Sequence, residues 1–133
     1  MSLVTDAKPY PKSQQLARGA KRYRRKVASP KQWQAIIAAK VGPCRACLDP
    51  ASNGRIYGRV QFHHVIPRDW HGDDVADNIV PLCPSCHALI HDRASQQAAR
   101  DLLAALTDAE YAYAIDKAGE GVFERVYGIE YGR

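Results

Sequence analysis

Cys44-x2-Cys47 and Cys83-x2-Cys86 can each offer two thiolates to one metal from a tight turn, and two such pairs complete a tetrahedral four-sulfur site. The pairs are separated by the 35 residues 48–82. Interleaved with them are His63, His64, Asn78, His87 and His91. The sulfurs fill a structural site on their own, which leaves the imidazoles for a second task. His87 and His91 stand four apart on a predicted helix, project from one face and can share a metal. His63 and His64 are neighbours on a predicted strand, so their side chains point to opposite faces. One of the two can join the helical pair, and the other stays close while facing elsewhere, as a general base must. Two jobs follow: a metal that holds the fold, and a site that does chemistry.

These side chains need elements to carry them. Ser29-Pro30 predicts a helix start, with Trp33, Ile36, Ile37 and Lys40 at helical spacing and Gly42-Pro43 as the stop. Residues 59–67 read as a strand ended by Pro67, with Val60, Phe62 and His64 on one face and Gln61, His63 and Val65 on the other. Residues 68–77 form a loop whose acids Asp69, Asp73, Asp74 and Asp77 lack a calcium-loop pattern and are expected to be solvated. In that loop His71 is expected to be exposed and Trp70 to cover the hairpin. Ile79 to Leu82 is a second strand, and one long helix is predicted over 84–106. Thr107-x-x-Glu110 is a capping box opening a helix through 118, Gly119 and Gly121 break it, and 122–127 make a last turn or two.

The chain has 133 residues, of which 46% are apolar, which suits one small α+β domain with extensions. The boundaries expected are a basic flexible arm at 1–28, a metal-stapled core at 29–106 and a helical extension at 107–133. A unit of this size commonly needs a metal or disulfides. The first residues lack the apolar centre of a signal peptide, and no apolar run is long enough to span a bilayer. A bacterial or viral cytoplasmic setting follows, where cysteines serve metals more often than disulfides. The net charge of +5 is unevenly spread. Residues 8–31 carry nine Lys/Arg and no acid, whereas 101–133 carry seven acids against three bases. A polyanion should therefore meet the N-terminal half. Arg22, Arg24, Arg25 and Lys26 are the candidates there, and Arg55, Arg59 and Arg68 flank the hairpin where they could clamp phosphate.

His63-His64-x-Ile-Pro, Asn78, Leu82-Cys83-x2-Cys86-His87 and His91 together resemble the HNH endonucleases, the ββα-metal or His-Me finger nucleases. The resemblance covers about residues 44–92. It implies a ββα-metal core stapled by a four-cysteine zinc, with flanking helices. It implies that His64 is the general base, that His63, His87 and His91 are ligands of one catalytic divalent metal, and that Asn78 braces the loop and orients His64. The implied reaction is hydrolysis of DNA phosphodiester bonds to 5′-phosphate and 3′-hydroxyl ends, by nicking and with weak sequence specificity, gripping mainly the phosphate backbone. Many members carry Asp where His63 stands. An all-imidazole set favours zinc, nickel, cobalt or manganese in affinity, while Mg2+ stays open as the working ion. A phage source, with a homodimer or a packaging partner, is the setting this resemblance suggests. The rival reading is a non-catalytic zinc-containing nucleic-acid-binding module, and RNA is the rival substrate.

Overall fold

The computed structural model describes residues 24–47 and 60–133. Arg22, Arg55, Arg59 and most of the expected basic arm lie outside the described residues. Helix α1 spans Pro30–Lys40, and its start is a full capping box between Ser29 and Gln32. The first cysteine turn follows it directly. Strands β1 (Gln61–His64) and β2 (Ile79–Leu82) pair antiparallel, with His63 opposite Val80 and His64 opposite Ile79. Helix α2 (Pro84–His91) begins at the second cysteine pair and packs on both strands. Then come α3 (Gln96–Ala104), α4 (Asp108–Ala118) and α5 (Val122–Tyr127).

Two elements are shorter than their sequence patterns predict. β1 ends at His64 rather than near Pro67. The Asn78 side chain takes both backbone groups of Ile66, accepting from its N–H at 2.8 Å and donating to its carbonyl at 3.0 Å. Groups that would extend the ladder are thereby used by an amide instead. The helix expected over 84–106 is broken between α2 and α3. Arg93 there adopts a left-handed backbone (φ 54°), and Ser95 caps the next helix through the Ala98 N–H at 3.1 Å. No glycine announces this break. The Arg93 guanidinium is held by the carbonyls of Arg125 and Val126 at 2.8 and 2.9 Å, a contact between distant segments.

One apolar cluster joins the cysteine turns to the C-terminal helices, from Cys44, Val65 and Leu82 through Leu102 and Leu103 to Phe123 and Tyr127. Glu110, fully buried, ties α4 to the first cysteine turn. It receives both ends of the Arg45 guanidinium, at 2.7 and 3.0 Å, together with Lys40 and the Thr107 N–H. Burial opposes ionisation of Glu110, but these donors outweigh it and hold the carboxyl at about 2. Against an unfolded value near 4.3, that is worth about 3 kcal/mol, present above pH 4.3 and lost as pH falls toward 2. Glu110→Gln should therefore lower the melting temperature at pH 7, and the gap from wild type should close across that acid window. A gap that does not change with pH would contradict this assignment.

Candidate active site

β1 and α2 bring the paired histidines to a cleft of about 670 Å³ that His63, His64, His87 and His91 all line. Period-two alternation puts Gln61 and His63 on the face toward α2, and the helical repeat stacks His91 one turn beyond His87. The His63 and His87 rings lie 5.2 Å apart, and those of His87 and His91 5.4 Å apart. Burial and the neighbouring imidazoles His87, His91 and His64 depress His63 to about 3. Burial and His91 depress His87. Both rings are therefore neutral at pH 7, the form in which imidazole binds a metal.

Hydrogen bonds decide which ring nitrogen is free. The His87 Nδ1–H donates to Gln61 Oε1, leaving Nε2 with its lone pair. His63 Nε2 lies 2.9 Å from the Tyr127 hydroxyl, which is itself 2.6 Å from the Val65 carbonyl. Fixing one nitrogen on a protein oxygen and leaving the other open is how metal-binding histidines are usually held. The chemistry of three imidazoles lining one open cleft suits a divalent ion, but among the described residues only the four cysteines form a group of three or more whose ligand atoms lie within 4.8 Å of one another.

His64 faces a different partner. Its Nε2 is 2.8 Å from Asp74 Oδ1, and its ring stacks on Trp33 at 6.0 Å and 10°. Burial opposes ionisation of Asp74, yet the bonds from His64 and the Ala28 N–H and the charge of Arg25 keep its pKa below the usual range. An ionised carboxylate only accepts, so His64 carries its proton on Nε2 and keeps Nδ1 unprotonated. Burial lowers the His64 pKa more than Asp74 raises it, which favours the neutral base.

Asn78 is fully buried and its amide is fully used: besides both Ile66 bonds, it donates to the Asp73 carbonyl at 3.0 Å. It thus clamps the exit of β1 to the residue preceding Asp74. Gly72 permits this clamp, because a Cβ there would stand 1.7 Å from the Ile66 carbonyl oxygen. The expectation that the loop acids are solvated is corrected for two of them. Asp73 accepts from the Lys26 N–H at 2.6 Å and the Tyr113 hydroxyl at 2.7 Å, and pairs with Lys117 at 3.1 Å. Asp74 serves His64. Their partners lie 10 to 49 residues away in sequence, so no local pattern could single them out. Gln61 could have been found from its strand face. Tyr127 and Asp74 could not.

The four sulfurs of Cys44, Cys47, Cys83 and Cys86 all lie within 4.8 Å of one another, and no disulfide joins them. Tetrahedral zinc with Zn–S near 2.3 Å sets its sulfurs about 3.8 Å apart, so small adjustments seat an ion. The Cys86 N–H points to Cys83 Sγ at 3.4 Å, the amide-to-sulfur bond that steadies a thiolate turn. Burial and the neighbouring sulfurs raise the Cys86 pKa, a penalty that a bound cation would reverse.

The candidate phosphate-binding residues divide. Arg68 is exposed and lines the cleft. Arg24 and Lys26 are exposed, with backbone groups bonded to Lys117 and Asp73. The Arg25 guanidinium is paired with Asp74. Arg93 and Arg125, which the motif does not include, also line the cleft, and Arg125 sits over the Trp70 ring at 5.6 Å. Trp70 is 40% exposed, so it covers the hairpin only in part. His71 is exposed as expected.

Comparison with known proteins gives two findings. Residues 44–93 match the family described as HNH endonuclease. The chain is also 38% identical over 65 residues to the type IV methyl-directed restriction enzyme EcoKMcrA of Escherichia coli (strain K12). That alignment covers 46% of this chain and 22% of the relative, so the chain spans about a fifth of that enzyme's length.

Proposed function

Because residues 44–93 match the HNH endonuclease family, we propose that this chain hydrolyses DNA phosphodiester bonds, with His64 as general base and His63, His87 and His91 holding one divalent ion. One observation carries the reading: a histidine with its Nδ1 left open by Asp74 shares a cleft with three imidazoles, two of which have one nitrogen fixed on a protein oxygen. His64 Nδ1 takes the proton of the attacking water. Asp74 holds the ring in that tautomer and offsets the positive charge it gains, while Trp33 limits its rotation. Asn78 keeps Asp73 and Asp74 at that distance. A divalent ion supplies charge to offset that growing on the scissile phosphate and on the departing 3′ oxygen. Arg68, with Arg24 and Lys26, meets the phosphate backbone, contacts that position DNA without reading its sequence. The products are 5′-phosphate and 3′-hydroxyl ends. One histidine-lined cleft among the described residues makes a nick the unit event.

Zinc is the ion proposed for the four sulfurs, and Mn2+, Co2+, Ni2+, Zn2+ or Mg2+ for the imidazoles. The test is supercoiled plasmid incubated with chelator-treated protein to which each ion is restored in turn. Conversion to nicked circles with at least one ion is expected. Protein that binds plasmid yet cuts with none would favour a non-catalytic binding module.

A further inference from the structure

We infer that Tyr127 is a positioning residue of the catalytic metal centre: it sets the tautomer of His63, so the C-terminal helix α5 is part of that centre. This inference rests on the reading of His63 as a metal ligand. Tyr127 lies beyond the 44–93 match, and its side chain is buried against β1. Its hydroxyl has one proton and two neighbours. The Val65 carbonyl, 2.6 Å away, can only accept, so the tyrosine proton is committed to it. The contact with His63 Nε2 at 2.9 Å must then run the other way, with Nε2–H donating to the hydroxyl oxygen. A neutral imidazole has one N–H, so the lone pair falls on Nδ1. Without the hydroxyl, neither tautomer has a preferred partner.

The anchor is itself held in place. Val65 directly follows β1, and its N–H is bonded to the Asn78 carbonyl at 2.9 Å. The α5 end is fixed by the Arg93 guanidinium on the carbonyls of Arg125 and Val126. The last residue of the matched segment thus pins the helix that supplies the tyrosine. His87 shows the same logic with Gln61, but there the acceptor comes from the hairpin itself. Of these two hydrogen bonds, that of His63 reaches outside the matched segment.

The experiment uses the full chain with its cysteine site loaded, wild type against Tyr127→Phe. Mn2+ is titrated with detection by electron paramagnetic resonance, and histidine 15N–1H correlation spectra are recorded before Mn2+ is added. Expected are an Nε2–H signal for His63 in the wild type, a shift toward mixed tautomers in Tyr127→Phe, and Mn2+ affinity weakened by about 10- to 100-fold. Zinc content should be unchanged. Wild-type His63 protonated on Nδ1 would overturn the proposal even if the variant does not fold. Equal Mn2+ affinity in both proteins would overturn the role of Tyr127 alone. A wild type that binds no Mn2+ beyond its cysteine site would overturn the metal centre and this role with it. None of these readouts depends on DNA being cut.

Discussion

Replacing His64 by alanine is expected to lower metal-dependent plasmid nicking by about 10²- to 10⁴-fold, the usual contribution of a positioned general base. The side chain is part-buried and held by one bond to Asp74 and one stacking contact with Trp33, so its loss should leave the fold intact. DNA binding and cysteine-site metal content should match the wild type. Asp74→Ala should lose less, because Nδ1 remains but its tautomer and orientation are no longer imposed. That variant also strands the Arg25 guanidinium, whose Nε is already buried without a partner among the described residues, so its melting temperature should fall too. Nicking rates measured at saturating plasmid decide the matter. Wild-type rates in His64→Ala would remove it from the role of base.

Removing one sulfur should have the larger effect on stability. Cys44→Ala is expected to abolish metal retention at the cysteine site and to unfold the hairpin, because binding energy at such sites, about 10–16 kcal/mol in small zinc modules, is folding energy. Cys44 is completely buried in the apolar cluster, and its neighbour Arg45 donates its N–H to the Pro81 carbonyl at 2.9 Å. The site therefore joins the end of α1, β2 and the start of α2. A chelator that strips the ion should act likewise, with melting temperature, nicking and near-ultraviolet circular dichroism falling together. Restoring the catalytic ion alone would not rescue cleavage. A Cys44→Ala protein that melts like the wild type and still nicks would show that the core needs no metal.

Much of this arrangement is legible in the chain because it is local. The Ser29 and Thr107 caps act over three residues, two-residue alternation separates His63 from His64, and a one-turn repeat aligns His87 with His91. The cysteine turns are legible for the same reason, since two-residue spacing is itself a ligand geometry, and the four sulfurs do gather. Where the sequence pattern fails, a distant partner has intervened. Arg93 breaks the long helix because α5 offers its guanidinium two carbonyls, and β1 stops early because Asn78 captures Ile66. The choice of Asp74 among four loop acids, and of Tyr127 among seven tyrosines, rests on contacts across 10 and 64 residues. Periodicity and spacing describe neighbours along the chain, so they determine which side chains share a face. Which nitrogen of His63, His64 and His87 keeps its lone pair is a matter of single hydrogen bonds to side chains 10 to 64 residues away, and only the tertiary structure decides it.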